Sequence, residues 1–390
     1  MHSTPLSGIR ILEIGGYISM PYSAAMLSAL GADVVKVERP VVGDDFRRGA
    51  NAGSPYFRQY NSGKRSLAVD LKSPEGVAVV KALVPKYDVV MENMRPGKLD
   101  SLGLGAAELT ALRPDLVYAS VTGFGSGGPL AQRPAYDTIG QAFGGLYTVL
   151  SDAGRAQLSG TPMADLITGI TITSGILAAI IGRERTGQPQ QVETSLMEAV
   201  STLTVDALTQ YFDSGHREPS RQSRHPQAQN FVLKTAAGLD IAIHLSSSQK
   251  FWVAFCGAME RPDLADDPRF TTYALRTDNY FELAEIVKAE FVARTQEEWE
   301  KRLTDADIPY APVLTMGEFL RHPQVEWLEL VDDERDDLSL LRPPWRFGGE
   351  RPQRGSETPL VGQHTREVAR EVYDDAAIDD LVTRGVLYAP

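Results

Sequence analysis

Asp165 is the acid in this chain whose surroundings least resemble those of a surface carboxylate. It sits in the stretch GTPMADLITGITITSGILAAIIG, and from Leu166 to Gly182 no charged residue follows. Such a run reads as a buried helix, and an unpaired carboxylate at its mouth is costly to bury. The positive end of the helix dipole favours the ionised form. An ionised carboxylate in partly dry surroundings is the state in which a carboxyl group acts as a nucleophile. The competing reading is structural: Asp is a common N-cap and first-turn residue, and Asp165 could simply cap its helix. Upstream, the segment TGFGSGGP offers a second ingredient. Glycine lets the backbone approach a ligand closely, so the amides of Gly125 and Gly127 are candidate donors to an oxyanion. Glycines of this kind also shape plain surface turns.

The elements that must position these residues are legible in the first half. IRILEI, DVVKVE, SLAVDL, DVVMENM and LVYASVTGF are β-rich runs. Between them lie helical patterns: PYSAAMLSALG, closed by Gly31, a segment opening at Ser73 with Pro74 in the first helical position, and AAELTALRP. Alternation of this kind predicts an α/β fold with a mostly parallel sheet, helices on its faces and right-handed crossovers. The helix after Asp165 ends at RERTG, a basic last turn followed by Gly187. QQVETSL then reads as a strand and MEAVSTLTVDALTQYF as a helix. From Ser214 to Gln229 the composition turns polar, as in a linker. FVLKTAAGLDIAIHL reads as a hairpin; helical patterns, then the extended IPYAPVLT, follow it. Asn230 to Pro309 is expected to form a smaller α+β domain. The terminal amphipathic pattern DDAAIDDLVTRGV is expected to pack back on the first domain.

Composition narrows the function. A length of 390 residues suits two domains, and a net charge of −12 argues against non-specific binding to nucleic acid or an anionic membrane. The single cysteine, Cys256, allows no internal disulfide and fits a reducing, cytoplasmic setting. MHSTPLSGIRILEIGG shows no secretory signal, and no apolar run approaches a membrane span, ITSGILAAII being the longest. His2, His216, His225, His244, His322 and His364 form no ligand motif, so no metal site is expected. A nicotinamide enzyme would carry G-x-G-x-x-G after the first strand; EIGGYISMP lacks that spacing.

Seven segments, in order along nearly the whole chain, resemble the class III CoA-transferases, or CaiB/BaiF family, which includes formyl-CoA and carnitine CoA-transferases and α-methylacyl-CoA racemases. They are LSGIRILEIGGYISMPYSAAMLSALGADVVKVERP, YNSGKRSLAVDLKSPEG, ENMRPGKLDSLGL, VTGFGSGGPLAQRPAYD, GTPMADLITG, GILAAIIGRERTGQPQQVETSLMEA and RPDLADDPRF. The resemblance implies a large Rossmann-like CoA-binding domain from residues 1–213 and 316–390, a small α+β domain at 230–309, linkers at 214–229 and 310–315, and an interlocked homodimer.

It also implies roles. In the family's transferases an Asp at the place of Asp165 attacks the acyl-CoA carbonyl, forming an acyl–aspartyl anhydride and then an aspartyl-CoA thioester. CoA thioester is thus a substrate, with no permanently bound cofactor, and a free carboxylic acid accepts the CoA. Arg39 matches the adenine and phosphate end and Asn93 the pantetheine. Ile18, Leu71, Lys72, Met94, Arg95, Lys98 and Tyr136 are further CoA-binding candidates, Tyr136 also at the reacting thioester. For Lys72 and Lys98 a solvated surface charge is an equally good reading. The racemases carry Gly-His-Asp where this chain has Ala135-Tyr136-Asp137. A tyrosine is a poor base at neutral pH, so transfer is favoured over racemisation or epimerisation; a non-catalytic CoA-binding protein is the other alternative. The glycine-rich lid of formyl-CoA transferase is replaced by SRHPQAQNFVLK, where Arg221, Arg224, His225 and Gln229 could bind the acyl or acceptor group.

Overall fold

The β-rich runs of the first half form strands β1 (Arg10–Ile14), β2 (Asp33–Glu38), β3 (Arg65–Val69), β4 (Val89–Glu92) and β5 (Val117–Thr122), joined by β6 (Gln190–Ser195). This is a computed structural model; it describes residues 4–332, 339–355 and 357–390, so His2 lies outside the described residues. The six strands are parallel neighbours in the order 3-2-1-4-5-6. That is the order of a doubly wound nucleotide-binding sheet, with its switch point between β1 and β4. Near-continuous apolar runs are what a sheet buried on both faces requires. The alternation sorts Leu12, Val35 and Val90 into the core on one face, and Ile11, Val34 and Val89 into the core on the other.

Helices follow the strands. They are α1 (Ser19–Ala29), α2 (Pro55–Asn61), α3 (Pro74–Leu83), α4 (Ala106–Leu112), α5 (Asp137–Phe143), α6 (Leu146–Leu150), α7 (Met163–Thr186) and α8 (Leu196–Leu203). Ser73 caps α3, accepting from the Glu75 amide, with Pro74 as its first residue. Helix α7 carries Ile172 and Ile176 into the core beside Met20 and Leu27 of α1. At 24 residues it is long and apolar enough by composition to cross a membrane. That corrects the expectation that no run approaches this length: Gly, Ser and Thr interrupt the apolar residues without ending the helix. Here the helix lies against α1 and the sheet.

The chain forms two compact units. One comprises Met1–Tyr147, Leu158–Asp206 and Gln324–Pro390; the other comprises Thr148–Gln157 and Ala207–Pro323. In the smaller unit, strands β7 (Asn230–Lys234) and β8 (Asp240–His244) make the hairpin, and β9 (Tyr310–Pro312) adds an antiparallel third strand. The segment expected as a linker at 310–315 therefore begins as sheet. Trp252, Phe255, Phe291 and Trp299 fill this unit's core, and Cys256 is buried among them. In the larger unit a short antiparallel pair, β10 (Val331–Asp332) and β11 (Leu340–Leu341), precedes the terminal helix Asp375–Thr383. That helix sends Ile378 and Leu381 into the core of the first face, and β12 (Leu387–Tyr388) pairs antiparallel with β3 at the sheet edge.

Candidate active site

Doubly wound sheets bind ligands beyond the carboxyl ends of the strands, at the switch point. A cavity of about 390 Å³ lies there. Gly15, Gly16, Tyr17 and Ile18 line it where β1 runs into α1, and Asn93, Met94 and Arg95 line it after β4. Thr122 and Gly123 at the end of β5, Arg39 after β2, Arg133, Tyr136, Leu196 and Asp165 complete the wall.

The first turn is built for close approach. A Cβ on Gly15 would stand 3.0 Å from Asn93 Oδ1. The Asn93 side chain instead clamps the turn, accepting from the Gly16 amide at 3.0 Å and donating to the Gly16 carbonyl at 2.9 Å. Tyr17 follows at φ 65°, a conformation unfavourable for a bulky residue. Asp44 holds it there, its Oδ1 accepting from the amides of Tyr17 (3.4 Å) and Phe46 (2.9 Å). Asp44 is in turn 3.0 Å from Lys36 Nζ, inside a buried network of Lys36, Glu13 and Lys64. The start of α1, Ile18 and Ser19, then lines the cavity, a setting that attracts negative charge.

Asp165 lies at the third position of α7 and does not cap it. Pro162 occupies the N-cap without a side-chain bond. Asp137, the first residue of α5, caps the helix from outside: its Oδ1 accepts from the amides of Ala164 (2.9 Å) and Asp165 (3.2 Å). No hydrogen bond reaches the Asp165 carboxylate from any described residue. Burial, and then the charge of Asp137, push this half-buried carboxyl up to about 7. The expectation of a fully ionised carboxylate is thereby corrected, because desolvation outweighs the helix dipole. Near neutrality the group divides between its acid and its nucleophilic form.

At the cavity mouth Tyr136 is 61 % exposed, its ring edge-on to Tyr17 at 5.3 Å. Hydrogen bonding with Tyr136 and burial push the Tyr17 phenol up to about 12, so it remains protonated. Three arginines give the wall its positive charge. Arg39 is tied to Asp45 and to the Gly43 carbonyl. Arg133 stacks over the rings of Phe124 and Phe143, and among the described residues neither it nor Arg95 forms an ion pair.

Of the residues singled out from sequence, Ile18, Arg39, Asn93, Met94, Arg95, Tyr136 and Asp165 meet at this cavity. Leu71, Lys72, Lys98, Gly125 and Gly127 do not line it. Leu71 packs against the core, and the Lys72 amide donates to Asp70. The Gly125 amide donates to Thr122 Oγ1 at 2.8 Å, which engages it as a turn donor and not as an oxyanion donor. Arg221 pairs with Asp152 in the smaller unit, and Arg221 and His225 line a separate cavity of about 660 Å³ against β7 and β8. Gln229 is buried and accepts from Arg276. Arg133, Tyr17, Asp44 and Asp137 were missed. Arg133 lay three residues before Tyr136 in a segment already singled out; the roles of Asp44 and Asp137 come from distant pairing and left no local signal.

A Rossmann-type crevice with a desolvated carboxylate and unpaired arginines suits an enzyme acting on an anionic nucleotide thioester, and the comparisons give the class. The chain belongs to CoA-transferase family III, whose family model matches residues 6–365. It is 33% identical to the succinyl-CoA:glutarate CoA-transferase of Mus musculus, over 98% of this chain and 90% of that protein. It is 30% identical to a formyl-CoA:oxalate CoA-transferase of Escherichia coli, over 96% and 98%. Among solved structures it resembles a CAIB/BAIF family protein from Brucella suis, with a TM-score of 0.82 and 30% identity, covering 95% of this chain and all of that one. The protein is a class III CoA-transferase, and its reaction is CoA transfer.

Proposed function

We propose that Asp165 carries the transfer covalently. Its carboxylate attacks the donor thioester carbonyl; a C–O bond forms, the C–S bond breaks, and CoA leaves as the thiolate. The thiolate then attacks the aspartyl carbonyl of the anhydride, releasing the donor acid and leaving an aspartyl-CoA thioester. The acceptor carboxylate displaces CoA in the same way to form a second anhydride. Return of the thiolate to the acceptor's carbonyl gives the new acyl-CoA and restores Asp165. Four easier displacements replace one hard exchange. The observation that carries this reading is the free Asp165 carboxylate at the cavity wall, in a helix whose cap is supplied by another residue.

Arg39, Arg95 and Arg133 suit the CoA phosphates by charge-assisted bonds, and the Gly15–Ile18 turn suits the thioester end. The donor is the CoA thioester of a small acid and the acceptor a small free carboxylic acid, of the kind named for the two relatives: succinyl-CoA with glutarate, and formyl-CoA with oxalate. The active form is an interlocked homodimer, a reading supported by exposed apolar side chains at Ile139 and Phe143 on α5 and Ile170 and Ile181 on α7. Sedimentation analysis giving only monomer at working concentration would overturn it.

The direct test crosses a panel of acyl-CoA donors with free carboxylic acids and reads new thioesters by mass spectrometry. Hydroxylamine added during turnover should convert Asp165 to its hydroxamate. Transfer that survives in Asp165→Ala would exclude the covalent route.

A further inference from the structure

Asp137 contributes to this corner in a way that its position in the sequence does not suggest. One of its oxygens takes both first-turn amides of α7. The other accepts from Gln141 Nε2 at 2.6 Å. Gln141 is itself buried and fully engaged: its Oε1 accepts from Ser159 Oγ at 2.7 Å, and its Nε2 also reaches the Thr161 carbonyl at 3.2 Å. The loop entering α7 is therefore fastened to α5 through one carboxylate and one amide. Pro162 at the N-cap has no side chain able to do this work.

We propose that Asp137 is the positioning residue for Asp165, capping α7 from α5 so that the Asp165 carboxylate is left unbonded and directed to the cavity. The inference rests on the reading of Asp165 as nucleophile. Were the cap local, Asp165 or a neighbour would have to turn its oxygens toward the helix amides, away from the substrate. The same contact sets a second negative charge beside Asp165, and with burial it keeps that carboxyl near neutrality in its titration. The other titratable groups on the elements packed around the start of α7 are few. Tyr60 of α2 is close enough to feel the Asp165 charge, and Tyr22 of α1 lies against Gly169. Glu198 of α8 accepts from Ser195, Glu193 lies on the exposed face of β6, and Tyr118 of β5 is buried in the core. Among the described residues Asp137 is the one carboxylate whose charge acts directly on Asp165.

Asp137→Asn separates the two effects, since an amide oxygen can still accept from Ala164 and Asp165 while the charge is gone; the Gln141 amide turns over to match, giving up only its longer bond to the Thr161 carbonyl. The readout is the pH profile of kcat/KM for the acyl-CoA donor. Its acid limb should move down by roughly one pH unit, with kcat at pH 8 reduced less than about tenfold. Asp137→Ala, which also loses the cap, should lower kcat by roughly a hundredfold with KM for the donor little changed. An acid limb unmoved in a folded Asp137→Asn protein, or full kcat in Asp137→Ala, would overturn the role. Asp165→Asn assayed alongside keeps the two readings apart. If it retains transfer, the nucleophile reading fails; if it is inactive and the Asp137→Asn limb stays put, only the positioning role fails.

Discussion

Two of the corners where the larger unit buries carboxylates treat them in opposite ways. Beneath the β1–α1 turn, Glu13 is fully buried between Lys36 (3.1 Å) and Lys64 (2.7 Å), and Glu38 is gripped by Arg47 and Ser66. Burial there is more than offset by Arg47 and Lys36, so the Glu38 carboxyl is held below its ordinary range. At the mouth of α7, Asp165 pairs with no cation among the described residues and has a second carboxylate for a neighbour, and its carboxyl rises to about 7. Paired acids hold a scaffold, whereas a half-buried acid left without a partner is available to react. The difference also predicts opposite responses to pH. Glu38 and Asp44 are stabilising when ionised, and that contribution is lost as pH falls through their lowered values. Asp165 binds its proton more tightly folded than unfolded. Its contribution is present at acid pH and is lost as pH rises from about 4 toward about 7.

The sharpest way to break the comparison is to remove the unpaired acid. Asp165→Ala should lower transfer by at least about 10³-fold, the usual consequence of deleting a covalent nucleophile, while CoA binding measured by calorimetry stays within about threefold. An equal loss of binding and rate would place Asp165 in the scaffold class with Glu13.

The converse change attacks the paired corner. Lys36→Met removes a fully buried ammonium that bonds Glu13, the Gly15 carbonyl and Asp44. Breaking a buried pair from one side costs about 3–5 kcal/mol, to be read from urea denaturation of the larger unit. Retention of wild-type stability would mean that this network is not what holds the turn. Asp165→Asn should do the opposite, raising stability by about 1–2 kcal/mol at pH 8 after allowance for solvent screening, with the gain shrinking toward pH 5. A gain independent of pH would show that the Asp165 charge is not its source.

How much of this could be read from the chain follows the same divide. The parallel sheet was legible because strands buried on both faces print as apolar runs such as DVVKV, and α7 because seventeen uncharged residues follow Asp165. The edge strand β12 was not, since two residues, Leu387 and Tyr388, carry no period. In the site, Asp165, Arg39 and Asn93 stood in recognisable local segments. The cap from Asp137 spans 28 residues, and the hold of Asp44 on Tyr17 spans 27. Pairings of that range are decided by the fold and leave no trace in spacing. The Gly125 amide was hidden for the complementary reason: a glycine-rich turn advertises free amides, yet Thr122, three residues away, takes that of Gly125.

The smallest effect extends the contrast from acids to bases. Arg47 lies over the Phe57 ring at 4.0 Å, but Glu38 also bonds it, so its charge is neutralised within the scaffold. Among the described residues Arg133 is held by aromatic faces alone, 5.6 Å from the Phe143 ring and 6.0 Å from that of Phe124. Rings position a guanidinium without cancelling its charge, which leaves Arg133 able to meet a phosphate. Arg133→Ala should therefore raise KM for acyl-CoA about fivefold, in keeping with about 1 kcal/mol for an exposed charge-assisted contact, and leave kcat nearly unchanged. The rise should also fade as salt is added, since an exposed ionic contact is screened. Arg133→Lys separates charge from shape: if the flat guanidinium between the rings is what matters, lysine will recover little of the lost affinity, whereas recovery to within twofold would assign the effect to charge alone.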